Sequence, residues 1–263
     1  MLVAYSSAAW RFAGLAVLLT PHFCVVECAN VLRHKLMLGQ GKSKLKTEAA
    51  KRAPGGVFDT DEASTLLTKT YEDLNPGFNI PAQEQKALEA VGGSPIYGEI
   101  LPESLAKVLE YVKPTRDDVF YDLGSGIGKT VLQTALTTPV KKAVGIEFEA
   151  TRHKTALQAR KAVLGTPAAA DRVIEFEQKD FAKATLDDAT IAYSCATCFS
   201  TELLGKICDL LPQKKVRMFV VLKDLGDVEN CTRKFWKAHV MQLPMSWSRK
   251  SGGSSIYFYQ PHA

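Results

Sequence analysis

Cysteine is scarce in this chain of 263 residues: six in all, unevenly spread at positions 24, 28, 195, 198, 208 and 231. So few in so long a chain exclude a scaffold built on disulfides and favour a reducing compartment. Cys195 and Cys198 make one Cys-x-x-Cys, in the stretch CATC, but no second such pair and no His-x-x-x-His accompanies it. A zinc site takes about four ligands, so no metal site is expected, and two small packing residues are the plainer account. A large excess of one charge is missing too. The net charge of +5 suits an acidic partner such as nucleic acid, yet many enzymes without one look the same.

Two missing glycines decide the reading of DLGSGIGKT, residues 122–130. A phosphate-gripping P-loop needs glycine five positions before its Gly-Lys pair, and Leu123 stands there. It also needs a second strand ending in Asp for magnesium, whereas KAVGIEF ends in Glu and an aromatic. The dinucleotide fingerprint Gly-x-Gly-x-x-Gly needs glycine where Lys129 stands. What is present, Gly124, Gly126 and Gly128 after an acid, fits a tight turn whose backbone approaches the amino-acid end of a nucleoside cofactor.

The first 55 residues stand apart. The stretch 12–32 is apolar and long enough for a bilayer, but Pro21, His22, Glu27 and Asn30 interrupt it. A membrane anchor or targeting segment, a packed or disordered appendage, and residues added by an upstream start codon all remain open. Residues 33–52 carry seven Lys or Arg against one Glu. Such a run is ordinarily solvated; it could also contact nucleic-acid phosphates, direct nuclear import or flank a membrane segment. APGG at 53–56 reads as a hinge, and 56–100 as a helical lead-in.

From residue 101 onward the pattern is regular. Helix is expected over LPESLAKVLEYV, KTVLQTALTT, TRHKTALQARKAVL and STELLGKICDLL. Strand is expected over DVFYDL, KAVGIEF, RVIEFEQKDF, ATIAYS and KVRMFVVLK. Alternation of this kind builds βαβ units and a parallel sheet with helices on both faces. KAHVMQLPMSW and SSIYFYQ then follow with only SRKSGG between them, so they should pair as an antiparallel hairpin. The expected fold is α/β and Rossmann-like, a mostly parallel sheet of seven strands ending in that hairpin over a domain at 101–263. The layout resembles class I methyltransferases, which use S-adenosyl-L-methionine.

Three successive strand tips carry acids. Asp122 is placed to meet a cofactor's ammonium group directly or through water. Glu147 can accept both ribose hydroxyls, and Asp180 the adenine amino proton, with Phe181 beside the ring.

YGEILPESLAKVLEYV, VFYDLGSGIGKTVLQTAL, VGIEF, KDF and SWSRKSGGSSIYFY together resemble the non-SET histone H3 lysine-79 methyltransferases over roughly residues 95–260. The resemblance implies a nuclear enzyme that transfers methyl from S-adenosyl-L-methionine to a protein lysine, with histone H3 in nucleosomes as partner. A non-histone substrate, small or membrane-associated, and a non-catalytic cofactor binder are the alternatives. Tyr97 and Glu99 would form the loop over the cofactor. Asp122, Gly124, Ser125, Gly126, Gly128, Lys129, Glu147, Asp180 and Phe181 would hold it. Trp247 and Tyr257 would line the lysine channel. Taken without the resemblance, Glu99 could equally cap the helix beginning near Pro102, and the two aromatics could be core or hairpin-surface residues. One departure stands out: Cys195 occupies the place of the first residue of the family's Asn-Asn-Phe, and a thiol cannot make an amide's paired hydrogen bonds.

Overall fold

The computed structural model describes residues 56–166, 169–249 and 251–263. The apolar stretch 12–32, the basic run 33–52, Cys24 and Cys28 lie outside the described residues. Two helices lead in. Helix α1 (Thr60–Tyr71) begins on a capping box, in which Asp59 accepts from the Glu62 backbone while the Glu62 side chain accepts from the Asp59 backbone. Helix α2 (Ala82–Ala90) follows, then α3 (Pro102–Val112) with Pro102 in its first turn.

The alternating core runs β1 (Val119–Leu123), α4 (Lys129–Thr137), β2 (Lys142–Glu147), α5 (Ala150–Leu164), β3 (Ile174–Gln178), a 3₁₀ turn (Phe181–Lys183), β4 (Ile191–Ser194), α6 (Thr201–Leu210) and β5 (Met218–Val221). A short α7 (Glu229–Thr232) precedes β6 (Phe235–Leu243) and β7 (Ser254–Pro261). Seven strands form one sheet in the order β3-β2-β1-β4-β5-β7-β6. The first five are parallel; β7 pairs antiparallel with both β5 and β6.

Every residue of β1 is buried, as expected of a central strand covered on both faces. Its side chains alternate between two cores. Phe120 joins residues of α1, α3, α4 and α5 on one face, and Tyr121 joins residues of α6 and the 3₁₀ turn on the other. The lead-in helix α1 therefore shares the main core, through Ala63 and Leu67.

Three local departures have physical causes. Strand β6 stops at Leu243, before Trp247, because Pro244 has no N–H for the ladder. The chain there turns aside, and Met245 makes a lone antiparallel bridge to Ile100. Helix α7 was not anticipated. Its Cys231 is disulfide-bonded to Cys208 of α6, a correction to the expectation of reduced cysteines. Cysteine scarcity excludes a disulfide scaffold but does not exclude a link between adjacent helices.

The start of β1 carries a partly buried ion pair. Arg217 donates from Nε and Nη2 to the two Asp118 oxygens at 2.9 and 2.8 Å. Thr115 N and Thr190 Oγ1 donate to the same carboxylate at 2.7 and 2.8 Å. Burial pushes this carboxyl up, but Arg217 and the other donors outweigh it and hold it well below the usual range.

Candidate active site

The parallel strands end on one side of the sheet, where the strand order reverses between β1 and β4. Open α/β sheets bind ligands at that crevice. The turn from β1 into α4 follows the end of β2 closely: Gly124 and Ser125 both donate from backbone to the Ile146 carbonyl, at 2.9 and 3.0 Å. Gly126 has φ +54°, and a Cβ there would lie 2.5 Å from the Tyr97 ring. Only glycine lets that ring lie against the turn.

Glu147 ends β2 and is buried. Its Oε2 accepts from Gly126 N at 2.7 Å and its Oε1 from Glu149 N at 2.9 Å. A carboxylate has about four lone-pair sites, so each oxygen keeps capacity for one more donor. Burial pushes this carboxyl up against the opposing pull of Arg152 and the two backbone donors. Asp122, one strand over, is also buried, and its Oδ1 has no hydrogen-bond partner among the described residues. Burial, reinforced by the Glu147 charge, pushes its carboxyl well above the ordinary range. A buried carboxylate oxygen without a donor suits a cationic ligand group.

Asp180 caps the 3₁₀ turn after β3, accepting from Ala182 N at 2.9 Å. The Phe181 ring stacks on Phe199 at 5.5 Å, forming an aromatic wall.

The covering loop comes from Tyr97–Ile100. Glu99 N donates to Ser246 Oγ and Ser246 N to the Glu99 carbonyl, both at 2.9 Å. Gly98 makes this possible, since a Cβ there would meet the Trp247 ring at 2.4 Å. Glu99 does not cap α3, which has no side-chain cap. Instead Glu99 Oε1 accepts from the Tyr97 hydroxyl at 3.0 Å and Oε2 from Lys129 Nζ at 2.8 Å. Burial, with the Glu99 charge second, keeps the Tyr97 phenol protonated as that donor. Arg152, buried in α5, lies over the Tyr97 ring at 4.8 Å and donates to the Gly77 and Pro95 carbonyls.

These elements enclose an open cleft of about 910 Å³ in which Tyr97, Glu147, Asp180, Phe181, Cys195 and Trp247 meet, along with Gly124 and Gly126. A smaller recess adjoins it, shares Tyr97, Gly124 and Cys195 with it, and adds Glu99, Asp122, Ser125 and Lys129. Two expected residues lie elsewhere. Gly128 sits behind the turn, where a Cβ would strike the Phe176 ring at 2.5 Å, so it packs helix on sheet. Tyr257 pairs in register with Val221 and Val240 within the sheet, under Lys237, and lines neither space. Arg152, Gly98 and Tyr193, which also lines the recess, were not anticipated. Arg152 had one signal, a cation in the first turn of a helix beside the expected ribose acid.

The strand order, the antiparallel last pair and a cleft at the parallel strand ends define a Rossmann-like fold of the class I methyltransferase type. The chain belongs to the family described as "Histone methylation protein DOT1", matched over residues 81–235, more than half of its length. That match ends where β6 begins, so the segment bearing Trp247 lies beyond it. The chain is 48% identical over 86 residues to a histone-lysine N-methyltransferase, H3 lysine-79 specific, from Caenorhabditis elegans, covering 33% of this chain and 9% of that one. It is 42% identical over 57 residues to a protein-lysine N-methyltransferase from Saccharolobus islandicus, covering 21% and 35%. The matched stretches thus span about a third or less of these relatives' own lengths. Among solved structures, an RNA methyltransferase from Salinibacter ruber in complex with S-adenosyl-L-homocysteine superposes with a TM-score of 0.45 at 24% identity, over 60% of this chain and 91% of that one.

Proposed function

We propose that this chain is an S-adenosyl-L-methionine-dependent protein-lysine N-methyltransferase acting on histone H3 in nucleosomes, and hence in the nucleus. The observation that carries the reading is the gathering of Asp122, Glu147 and Asp180 around one cleft and its recess under the Tyr97–Ile100 loop. The relatives named H3 lysine-79 specific support the choice of substrate. Residues 56–100 act as lead-in and covering loop, and 101–263 as the catalytic domain.

The residues present fit the cofactor. The unpartnered Asp122 Oδ1 would accept from its ammonium group. Glu147, with lone pairs to spare, would accept from the ribose hydroxyls. Asp180 would accept from the adenine amino group, with the Phe181–Phe199 wall beside the ring. Tyr97, Glu99 and Lys129 would hold the loop closed over it, with Ser125 in the turn beneath. When bound, S-adenosyl-L-methionine supplies a methyl group on a positive sulfur, open to in-line attack by an amine. A lysine must arrive unprotonated, although its ordinary pKa is about 10.4. Trp247 and Cys195 line the cleft with little polarity, which disfavours the ammonium form. This chain need supply no dedicated base; its contribution is alignment.

Transfer of radiolabelled methyl to reconstituted nucleosomes and to free histones tests the reading, with Asp122→Ala as control. Label on nucleosomal H3, absent with the variant, is expected. Tight cofactor binding without label on any histone would refute the substrate.

A further inference from the structure

Tyr193 lies on β4 opposite Asp122 of β1 in parallel register, so both side chains point to the same face of the sheet. It is 1% exposed. Its ring packs in the main core and stacks on Phe120 at 6.4 Å. A phenylalanine would fill that space equally well. The hydroxyl has no hydrogen-bond partner among the described residues, although it is fully buried. Leaving such a group unsatisfied is costly, and buried polar groups without partners call for an explanation.

The recess that Tyr193 lines supplies one. Three buried polar atoms without partners belong to residues around it: Asp122 Oδ1, Ser125 Oγ and the Tyr193 hydroxyl. The first is an acceptor suited to a cation, while the other two can donate. Lys129 and Thr130 line the same recess, in the first turn of α4, whose N-terminal end favours negative charge. Glu99 is the opposing charge there, and Lys129 neutralises it at 2.8 Å. An acceptor together with donors around one recess is the complement of a zwitterion, an α-amino acid carrying both ammonium and carboxylate.

We propose that the Tyr193 hydroxyl donates a hydrogen bond to the α-carboxylate of the cofactor's amino-acid end and so selects for cofactors that carry one. The assignment rests on the methyltransferase reading above. It makes Tyr193 a binding and specificity residue, with no part in the displacement itself. Burial pushes its phenol well above the ordinary range, so the donor form persists at every physiological pH.

The test is calorimetric titration of wild type and Tyr193→Phe with S-adenosyl-L-methionine and with its decarboxylated analogue, which keeps the amine. A hydrogen bond to a charged group predicts that the variant loses roughly 10- to 100-fold in affinity for the intact cofactor. Affinity for the analogue should stay within about twofold of wild type, on the same reasoning. The unliganded variant should melt no lower than wild type, because the hydroxyl it loses has no protein partner. Equal losses for both compounds, no loss for either, or a variant that fails to fold would each overturn the assignment, since the hydroxyl would then be structural or idle. A wild type that binds both compounds equally well removes the Tyr193 assignment alone. A wild type that binds neither removes the methyltransferase reading itself.

Discussion

Asp118 and Asp122 stand at the two ends of the same strand, both buried, and their surroundings could hardly differ more. Asp118 meets a guanidinium, a backbone N–H and two hydroxyls, and its carboxyl is held well below the ordinary range. Asp122 has an oxygen with no partner and a second acid nearby, and its carboxyl is pushed well up. One end of β1 commits its acid to the fold, while the other keeps an acceptor oxygen without a donor among the described residues. Buried acids therefore cannot be ranked by burial; their partners tell structure from site.

Two substitutions sharpen that contrast. Asp122→Asn should weaken S-adenosyl-L-methionine binding by roughly 100-fold, measured by calorimetry, since a charge-assisted bond to the ammonium group is lost. The same variant should melt higher than wild type when unliganded, because an unfavourable buried charge is gone. Arg217→Ala should do the reverse, leaving cofactor affinity unchanged while lowering stability by about 2 kcal/mol in chemical denaturation. That is below the 3–5 kcal/mol typical of breaking a fully buried pair, because Arg217 is 39% exposed.

The smallest effect is in the pH dependence of those two differences. Asp118 has a folded pKa below its unfolded value near 3.9, so its stabilisation is complete above about pH 4 and is lost as pH falls. The stability gap between wild type and Arg217→Ala should therefore narrow below about pH 4. Asp122 has a folded pKa above its unfolded value, so it destabilises the unliganded protein increasingly as pH rises from about 4. The gap between wild type and Asp122→Asn should widen over that range. Parallel curves for the two variants would erase the distinction between the ends of the strand.

The strands, their order of appearance and the closing hairpin were legible from local signals, namely apolar runs, helical spacing and a glycine-rich turn. Asp122 and Glu147 were legible as strand-end acids for the same reason. What escaped depends on contacts between distant segments. Nothing near Lys129 says that its ammonium pairs with Glu99, and nothing near Gly98 says that its missing Cβ accommodates Trp247. The Tyr193 hydroxyl looks like one more apolar-strand aromatic until its neighbours are known. Tyr257 illustrates the converse: a motif names it, but within β7 it lines neither the cleft nor the recess. The Cys208–Cys231 link escaped because cysteine counts carry no information about which helices touch.

The hydrogen bonds joining Glu99 and Ser246 connect positions 147 residues apart. A ribosome delivers the glycine turn and its acids long before it delivers Ser246 and Trp247. During synthesis the floor of the cleft can therefore assemble while its roof is still missing its anchor. A nascent chain should gain its grip on a nucleoside ligand late, in a single step, when the segment before the last hairpin strand emerges.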